Sequence, residues 1–145
     1  AKVISFFEGE AFVAANADIL WTDEASARPA LSRLIAAWDE AQMDALLLLV
    51  KREDAFGYEG AGDFFLGEEG RLQRRASSAQ APFVFEGVQI LHPRLFEGAP
   101  AGPFSLNLLY DKALSAGRLY GLAHLGGWYH IGTPEALSQA HELLG

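Results

Sequence analysis

Cysteine and long hydrophobic runs are both missing from this 145-residue chain, which contains no Cys and a single Met. The absence of Cys excludes disulfides, thiolate metal sites and Cys nucleophiles, and it fits a protein of the reducing cytoplasm, where we expect this one to act. The longest apolar run, residues 45–50, is far shorter than the ~20 residues that a membrane-spanning helix needs. We therefore expect no membrane partner.

Positive charge is scarce: 11 Lys and Arg stand against 19 Asp and Glu, and the formal net charge is −8. Because nucleic-acid binding depends on basic residues that neutralise the phosphate backbone, we expect no nucleic-acid partner. Nucleotides remain open, since a metal ion or a few backbone N–H groups can hold phosphates. Half of the residues are hydrophobic and 21% are charged, which indicates a folded domain rather than a disordered segment.

The first third of the chain predicts a strand, a helix and a second strand. Residues 11–15 form a short apolar run, which is typical of a buried strand. Apolar residues at helical spacing then run from Leu31 to Trp38, and residues 45–50 form the second buried strand. Two buried strands joined by a helix predict a parallel pair with a right-handed crossover.

The rest of the chain predicts further strands and two more helices. The predicted elements are a hairpin over residues 64–74, a strand over 83–91, a helix over 106–116 capped by Ser105, strands over 118–125 and 128–131, and a helix over 134–144. Gly87 interrupts the strand over 83–91 and marks either a bulge with a close ligand or a plain packing position. We predict an α/β fold with a Rossmann-like mixed, mainly parallel sheet flanked by helices.

The segment Asn16-Ala17-Asp18 directly follows the first predicted strand. Ligands of open α/β sheets bind outside the carboxyl ends of the strands, so a carboxylate at this point is well placed to hold Mg²⁺. The same residues also suit a turn in which an aspartate bonds its own backbone. Position alone leaves the two interpretations of Asp18 equally open.

A second polar signal lies at His130, which is near the end of a predicted strand and precedes the Thr133-Pro134 pair that opens the last helix. A helix N-terminus favours anions, so His130 is a candidate metal ligand or phosphate donor, or else a packed turn residue. The motifs G-x-x-x-x-G-K-[ST] and G-x-S-x-G are missing. The residues alone therefore indicate a metal-assisted phosphate site on an α/β sheet.

Four motifs, taken in order, resemble those of the sugar-nucleotide pyrophosphorylases, a family of nucleotidyltransferases. They are residues 12–18 with Asn16-Ala17-Asp18, the following Leu20-Trp21, the strand residues 83–91 with Glu86-Gly87, and residues 128–134 with Gly132-Thr133-Pro134. The resemblance runs over nearly the whole chain and is greatest for N-acetylmuramate-1-phosphate uridylyltransferases and mannose-1-phosphate guanylyltransferase-like proteins. It implies the fold of the nucleotide-diphospho-sugar transferases.

The resemblance also implies roles for individual residues. Asp18 corresponds to the aspartate that holds the catalytic Mg²⁺, and Gly87, with Glu86 beside it, corresponds to the strand glycine that approaches the sugar. His130 stands where the family usually has a second metal-binding Asp, so it is the candidate second ligand or a phosphate contact. We expect the further substrate contacts to come from Asn16, Asn107 and Thr133.

Two elements of the family are missing from the chain. The arginine-rich residues 71–75 stand where many relatives carry a Glu-Lys-Pro element for the sugar phosphate. The glycine-rich G-x-G-T-R-x-x-P loop and the Lys-Pro element that hold the triphosphate and the base are also missing, and the chain begins with Ala1 rather than Met. We therefore expect residues 1–145 to be the C-terminal part of one nucleotidyltransferase domain, with the N-terminal portion as its partner and no activity alone.

The reaction that the resemblance implies joins a nucleoside triphosphate to a sugar 1-phosphate, depends on Mg²⁺ and releases pyrophosphate. We expect the substrates to be UTP and N-acetylmuramate-1-phosphate, in the recycling of peptidoglycan sugars. GTP with mannose-1-phosphate is the alternative within the same class. A fragment that binds a sugar phosphate without catalysis is the alternative from another class.

Overall fold

The predicted strands and helices occur in the predicted order, together with two short strands that the sequence does not predict. The computed structural model describes residues 9–16, 19–23, 28–130 and 134–144. The strands are β1 (Phe12–Ala15), β2 (Ile19–Trp21), β3 (Ala45–Lys51), β4 (Ala55–Phe56), β5 (Phe64–Leu66), β6 (Leu72–Arg74), β7 (Phe83–Leu91), β8 (Leu119–Ala123) and β9 (Trp128–His130). The helices are α1 (Ala30–Ala37), α2 (Leu106–Ser115) and α3 (Pro134–Leu144). None of the helices in these ranges has the length and apolar character that a membrane crossing requires.

Strand β7 is the centre of a six-stranded sheet with the order β6-β5-β7-β3-β8, and β1 also pairs with β7. One edge of β7 pairs with β3, while the other edge pairs with β5 at Phe83 and with β1 from Val88 to Leu91. Among the described residues, β3 and β8 form the parallel pair of this sheet, and the other pairings are antiparallel. The predicted mixed sheet with flanking helices is confirmed. Its pairing is not mainly parallel, because β7 forms antiparallel ladders on both of its edges.

The predicted direct pairing of β1 with β3 is wrong. The two strands run in the same direction, but β7 lies between them and is antiparallel to both. The crossover rule describes strands of one sheet, and nothing in residues 11–50 indicates that a strand from later in the chain is inserted there. Strand β1 also differs from the predicted buried strand, since its residues are alternately half-buried and exposed, with Val13 44% exposed.

A second sheet has three strands in the order β2-β9-β4. Strand β2 is antiparallel to β9, with Ile19 opposite His130, and β4 is parallel to β9. The indole rings of Trp21 and Trp128 stack across it with their centroids 5.8 Å apart. Strands β2 and β4 have only three and two residues, so they lack the repeated apolar pattern from which a strand is predicted.

The apolar run in β3 packs on both faces of the main sheet. On one face Leu46 and Leu48 belong to a buried cluster that includes residues of α1. On the other face Leu47 and Leu49 belong to a cluster that includes residues of α2. A strand that is covered on both faces has a continuous apolar sequence rather than an alternating one, which explains residues 45–50.

Asp44 joins three connecting segments directly before β3. Its Oδ1 accepts hydrogen bonds from Nε of Arg94 at 2.6 Å and from Nε of Arg118 at 2.8 Å. The same two guanidinium groups also donate to the backbone carbonyls of Glu40 and Met43. Burial by itself raises the pKa of Asp44, but the hydrogen bonds and positive charges of Arg118 and Arg94 outweigh it and lower that pKa below its usual 3.8.

We expect Asp44→Asn to lower the free energy of unfolding at pH 7 by about 2–3 kcal/mol, the contribution of hydrogen bonds to a charged group. Because the folded-state pKa is lowered, this stabilisation is present above the unfolded-state pKa of about 3.9 and is lost as the pH falls through the folded-state pKa. Urea unfolding at pH values from 7 down to 3 should show the free energies of unfolding of wild type and Asp44→Asn converging. Asp54→Asn, at an exposed position, is the control. An equal loss in both variants contradicts this role of Asp44.

Candidate functional site

A cavity of about 280 Å³ lies between β7 and the first turn of α2. Its size is close to the lower end of the range of about 300–1,000 Å³ that is usual for small-ligand sites. Two predicted substrate contacts, Asn16 and Asn107, lie in its wall. The residues of the wall are Asn16, Asp63, Phe64, Arg74, Phe85, Gln89, Ser105, Leu106, Asn107 and Tyr110. A larger and more open hollow of about 680 Å³, between Glu10 and Glu40, contains none of the predicted site residues.

The side chain of Asn16 packs directly against Gly87 at this cavity. The backbone N–H of Asn16 donates to the carbonyl of Gly87 at 3.0 Å, and a Cβ on Gly87 would overlap the side-chain amide of Asn16. Gly87 has a φ of +105°, and the β3–β7 register shifts opposite it, between Leu47 and Leu49. The glycine therefore marks a bulge, and among the described residues the group that closely approaches it is Asn16.

Gln89 and Tyr110 form a buried polar pair on the cavity wall. The hydroxyl of Tyr110 donates to Oε1 of Gln89 at 2.6 Å, and Gln89 is only 3% exposed. Burial raises the pKa of Tyr110 to about 12, against the smaller opposing effects of the Gln89 hydrogen bond and the Arg74 charge. Tyr110 thus stays protonated and fixes the amide of Gln89. The NH₂ of that amide has no partner among the described residues, so it is a donor available to a ligand.

Arg74 places a fixed cation at the start of α2. Its Nη1 donates to Oδ1 of Asn107 and its Nη2 to the carbonyl of Asn107, both at 3.2 Å. Its Nε donates to Asp111 at 2.9 Å, and the guanidinium lies over the ring of Phe64 at 5.3 Å. Ser105 caps the same helix end, because its Oγ accepts from the N–H of Asn107. Arg74 is therefore held from several sides.

Asp63 and the rings of Phe85 and Tyr110 also line the cavity. Oδ2 of Asp63 accepts from the backbone N–H of Phe85 at 2.9 Å. The rings of Phe85 and Tyr110 meet edge to face, with their centroids 5.7 Å apart. A few fixed donors and acceptors on a partly aromatic wall are typical of a site that orients a small polar ligand.

Four of these wall residues are not among the site residues that the sequence predicts: Asp63, Arg74, Gln89 and Tyr110. Gln89 could have been found from the sequence, because it is the polar residue within the otherwise apolar stretch 88–91 of β7. Tyr110 lies at helical spacing from the apolar residues Leu106 and Ala113, which predicts an apolar helix face, and Tyr110 is buried in the structure. Its partnership with Gln89 depends on how α2 packs on the sheet, which no local pattern reveals.

The other predicted site residues have different positions. Glu86 is half-buried in β7 next to Gly87 and is not part of the cavity wall. His130 ends β9, opposite Ile19 of β2. Asp18 and Thr133 lie outside the described residues. Within the part of the chain that is described, no group of three His, Asp or Glu side chains is arranged to hold a metal ion.

No family model matches the chain. A curated relative, the N-acetylmuramate alpha-1-phosphate uridylyltransferase of Caulobacter vibrioides, is 38% identical over 129 residues. These cover 89% of this chain and 52% of the uridylyltransferase. The chain thus spans about half the length of this relative.

Several solved structures share the fold. A UTP-bound UGPase from Acinetobacter baumannii matches with a TM-score of 0.74 at 14% identity, covering 99% of this chain and 53% of its own. An inositol-1-phosphate CTP transferase from T. maritima matches with a TM-score of 0.64 at 21% identity, covering 99% and 61%. HddC from Yersinia pseudotuberculosis, complexed with GMP-PN, matches with a TM-score of 0.70 at 17% identity, covering 99% and 60%. The resemblance to sugar-nucleotide pyrophosphorylases that the sequence motifs predict is thereby confirmed, in sequence over about half of one such enzyme and in fold over nearly the whole chain.

Proposed function

We propose that the protein of which this chain is part is a sugar-1-phosphate nucleotidyltransferase, with UTP and N-acetylmuramate-1-phosphate as substrates. A phosphate oxygen of the sugar 1-phosphate attacks the α-phosphorus of UTP, and the bond from that phosphorus to the bridging oxygen of the β-phosphate breaks. The products are UDP-N-acetylmuramate and pyrophosphate. The observation that carries the proposal is the 38% identity to the N-acetylmuramate alpha-1-phosphate uridylyltransferase of Caulobacter vibrioides.

The cavity beside Asn16 is the proposed sugar site. The amides of Asn16 and Gln89 supply donors, and Asp63 supplies an acceptor for sugar hydroxyl groups. Asp18 is two residues along the chain from Asn16, a distance that extended chain covers in about 7 Å. We propose that a sugar bound in this cavity directs its 1-phosphate towards Asp18. Positioning of that phosphate is the main contribution that a protein makes to phosphoryl-type transfer.

The proposed Mg²⁺ site combines Asp18 with the end of β9. Ile19, the neighbour of Asp18 in the chain, pairs with His130, and we propose that the side chain of Asp18 approaches this end of β9. One carboxylate suits Mg²⁺, which is usually held by one or two carboxylates together with substrate phosphates and water. Imidazole is a poorer ligand for Mg²⁺, which favours Asp18 as the metal ligand and His130 and Thr133 as phosphate contacts. The bound ion would neutralise phosphate charge.

Pyrophosphate release by the full-length protein tests the proposal. The assay combines Mg²⁺ and each of UTP, GTP, CTP and dTTP with N-acetylmuramate-1-phosphate, mannose-1-phosphate or glucose-1-phosphate. We expect the highest kcat/KM for UTP with N-acetylmuramate-1-phosphate and no turnover by the 145-residue chain alone. Faster turnover of GTP with mannose-1-phosphate would identify these two compounds as the substrates instead. No release with any pair contradicts nucleotidyl transfer and favours a sugar-phosphate-binding protein without catalysis.

A further inference from the structure

One side of the proposed sugar site is unusually rich in hydrogen-bond donors for a chain with a net charge of −8. Arg74 and the capped first turn of α2 lie on that side. The unpartnered NH₂ of Gln89, on a side chain that is 97% buried, belongs to the same cavity. An amide donor in a cavity wall that has no protein partner can donate to a ligand. The combination indicates that the ligand brings an acceptor group, and the fixed cation favours an acceptor with negative charge.

The neighbours of Arg74 leave its charge available. Oδ1 of Asp111 accepts from both Nε and Nη2 of Arg74, but the side chain of Asp111 is 61% exposed, so solvent and salt screen its charge. Asn107 takes up hydrogen bonds without adding charge, and the second N–H of Nη1 has no partner among the described residues. Asp63 is the carboxylate in the described wall, and its Oδ2 already accepts from the N–H of Phe85. A ligand carboxylate at Arg74 therefore gains a charge-assisted hydrogen bond to a guanidinium that is already oriented.

We propose that Arg74 binds a carboxylate on the sugar and so selects an acidic sugar 1-phosphate over its neutral counterpart. The inference rests on the proposed function and deepens it. N-acetylmuramate is N-acetylglucosamine with a lactyl ether, and the lactyl group carries the carboxylate by which the two sugars differ in charge. Arg74 is thus a specificity-determining residue that contacts a part of the substrate distant from the reacting phosphate.

The ratio of kcat/KM for N-acetylmuramate-1-phosphate to kcat/KM for N-acetylglucosamine-1-phosphate, both with UTP, tests this role in the full-length protein. We expect wild type to prefer the acidic sugar and Arg74→Gln to lower the ratio by about 10- to 100-fold, the effect of losing a hydrogen bond to a charged group. Arg74→Lys keeps the charge and should retain part of the preference. Arg33→Gln, in helix α1, removes the same charge on the other side of the sheet and should leave the ratio unchanged.

A second variant covers the case in which Arg74→Gln does not fold. Ser105→Asp keeps a good N-cap for α2 but adds a negative charge beside Arg74, so it should lower the ratio in the same direction. If Arg74 served the 1-phosphate instead, Arg74→Gln would lower both kcat/KM values equally, and the unchanged ratio would overturn the inference. Equal kcat/KM for the two sugars in the wild type overturns it as well. Absence of turnover with either sugar overturns the proposed function and this inference together.

Discussion

Asp18→Asn is expected to lower the turnover of the full-length enzyme by about 10²- to 10³-fold, the usual effect of removing one electrostatic contact to developing charge. Asparagine keeps the size and hydrogen-bonding shape of the side chain but loses the negative charge that we propose to hold Mg²⁺. The measurement is turnover against Mg²⁺ concentration, with circular dichroism to check folding. The apparent affinity for Mg²⁺ should fall together with turnover, because the remaining candidate ligand is His130.

Asp23→Asn is the matched control for Asp18→Asn. Oδ1 of Asp23 accepts a hydrogen bond at 2.7 Å from the N–H of Ala30, the first residue of α1, and asparagine can accept the same bond. We expect this variant to have nearly wild-type turnover and metal dependence. If Asp18→Asn also has normal turnover with unchanged metal dependence, Asp18 is a turn residue, for which asparagine is among the best replacements.

Gly87→Ala is expected to lower kcat/KM at least about 10-fold, because even a loss of about 1.4 kcal/mol in binding has that effect. The new Cβ would overlap the side chain of Asn16, which must then leave its place in the cavity wall. The positive φ of Gly87 adds a backbone strain of about 1–3 kcal/mol. Steady-state kinetics and urea unfolding separate these two effects, and we expect the change in kcat/KM to lie mainly in KM for the sugar 1-phosphate.

Gly117→Ala separates strain from displacement of Asn16. Gly117 also has a positive φ, of +68°, but a Cβ there meets no atom within 4 Å. We expect this control to be destabilised by about 1–2 kcal/mol, the cost of an L-residue in the left-handed region, with kcat/KM unchanged. Equal kinetic losses in the two variants would show that strain alone accounts for the effect at Gly87, and Asn16 would lose its proposed role.

Local patterns predict the elements of this fold well. The continuous apolar run of β3 reflects burial on both faces, and Ser105 caps α2 as the sequence predicts. The pairing of the strands is harder to predict from the sequence. Strand β7 enters between β1 and β3 from more than 30 residues further along the chain, and its position is set by packing and not by any pattern in residues 11–50.

The candidate site shows the same difference between features that the local sequence predicts and features that depend on packing. Motif resemblance identifies Asn16, and Asn16 lies in the cavity wall together with Asn107, which is also a predicted substrate contact. The contacts that shape the cavity join distant segments: Gln89 with Tyr110, and Arg74 with α2. Such contacts become visible only when the sheet and helix are assembled, which is why Arg74 had no assigned role in an arginine-rich segment that departs from the family pattern.

A crystal structure of the full-length protein with N-acetylmuramate-1-phosphate tests the central claim most directly, namely that the cavity between β7 and α2 holds the sugar of a sugar 1-phosphate. We expect the sugar ring to contact Asn16 and Gln89, with its 1-phosphate directed towards Asp18. A sugar 1-phosphate bound elsewhere on the protein, with the cavity between β7 and α2 occupied by solvent, would contradict the claim.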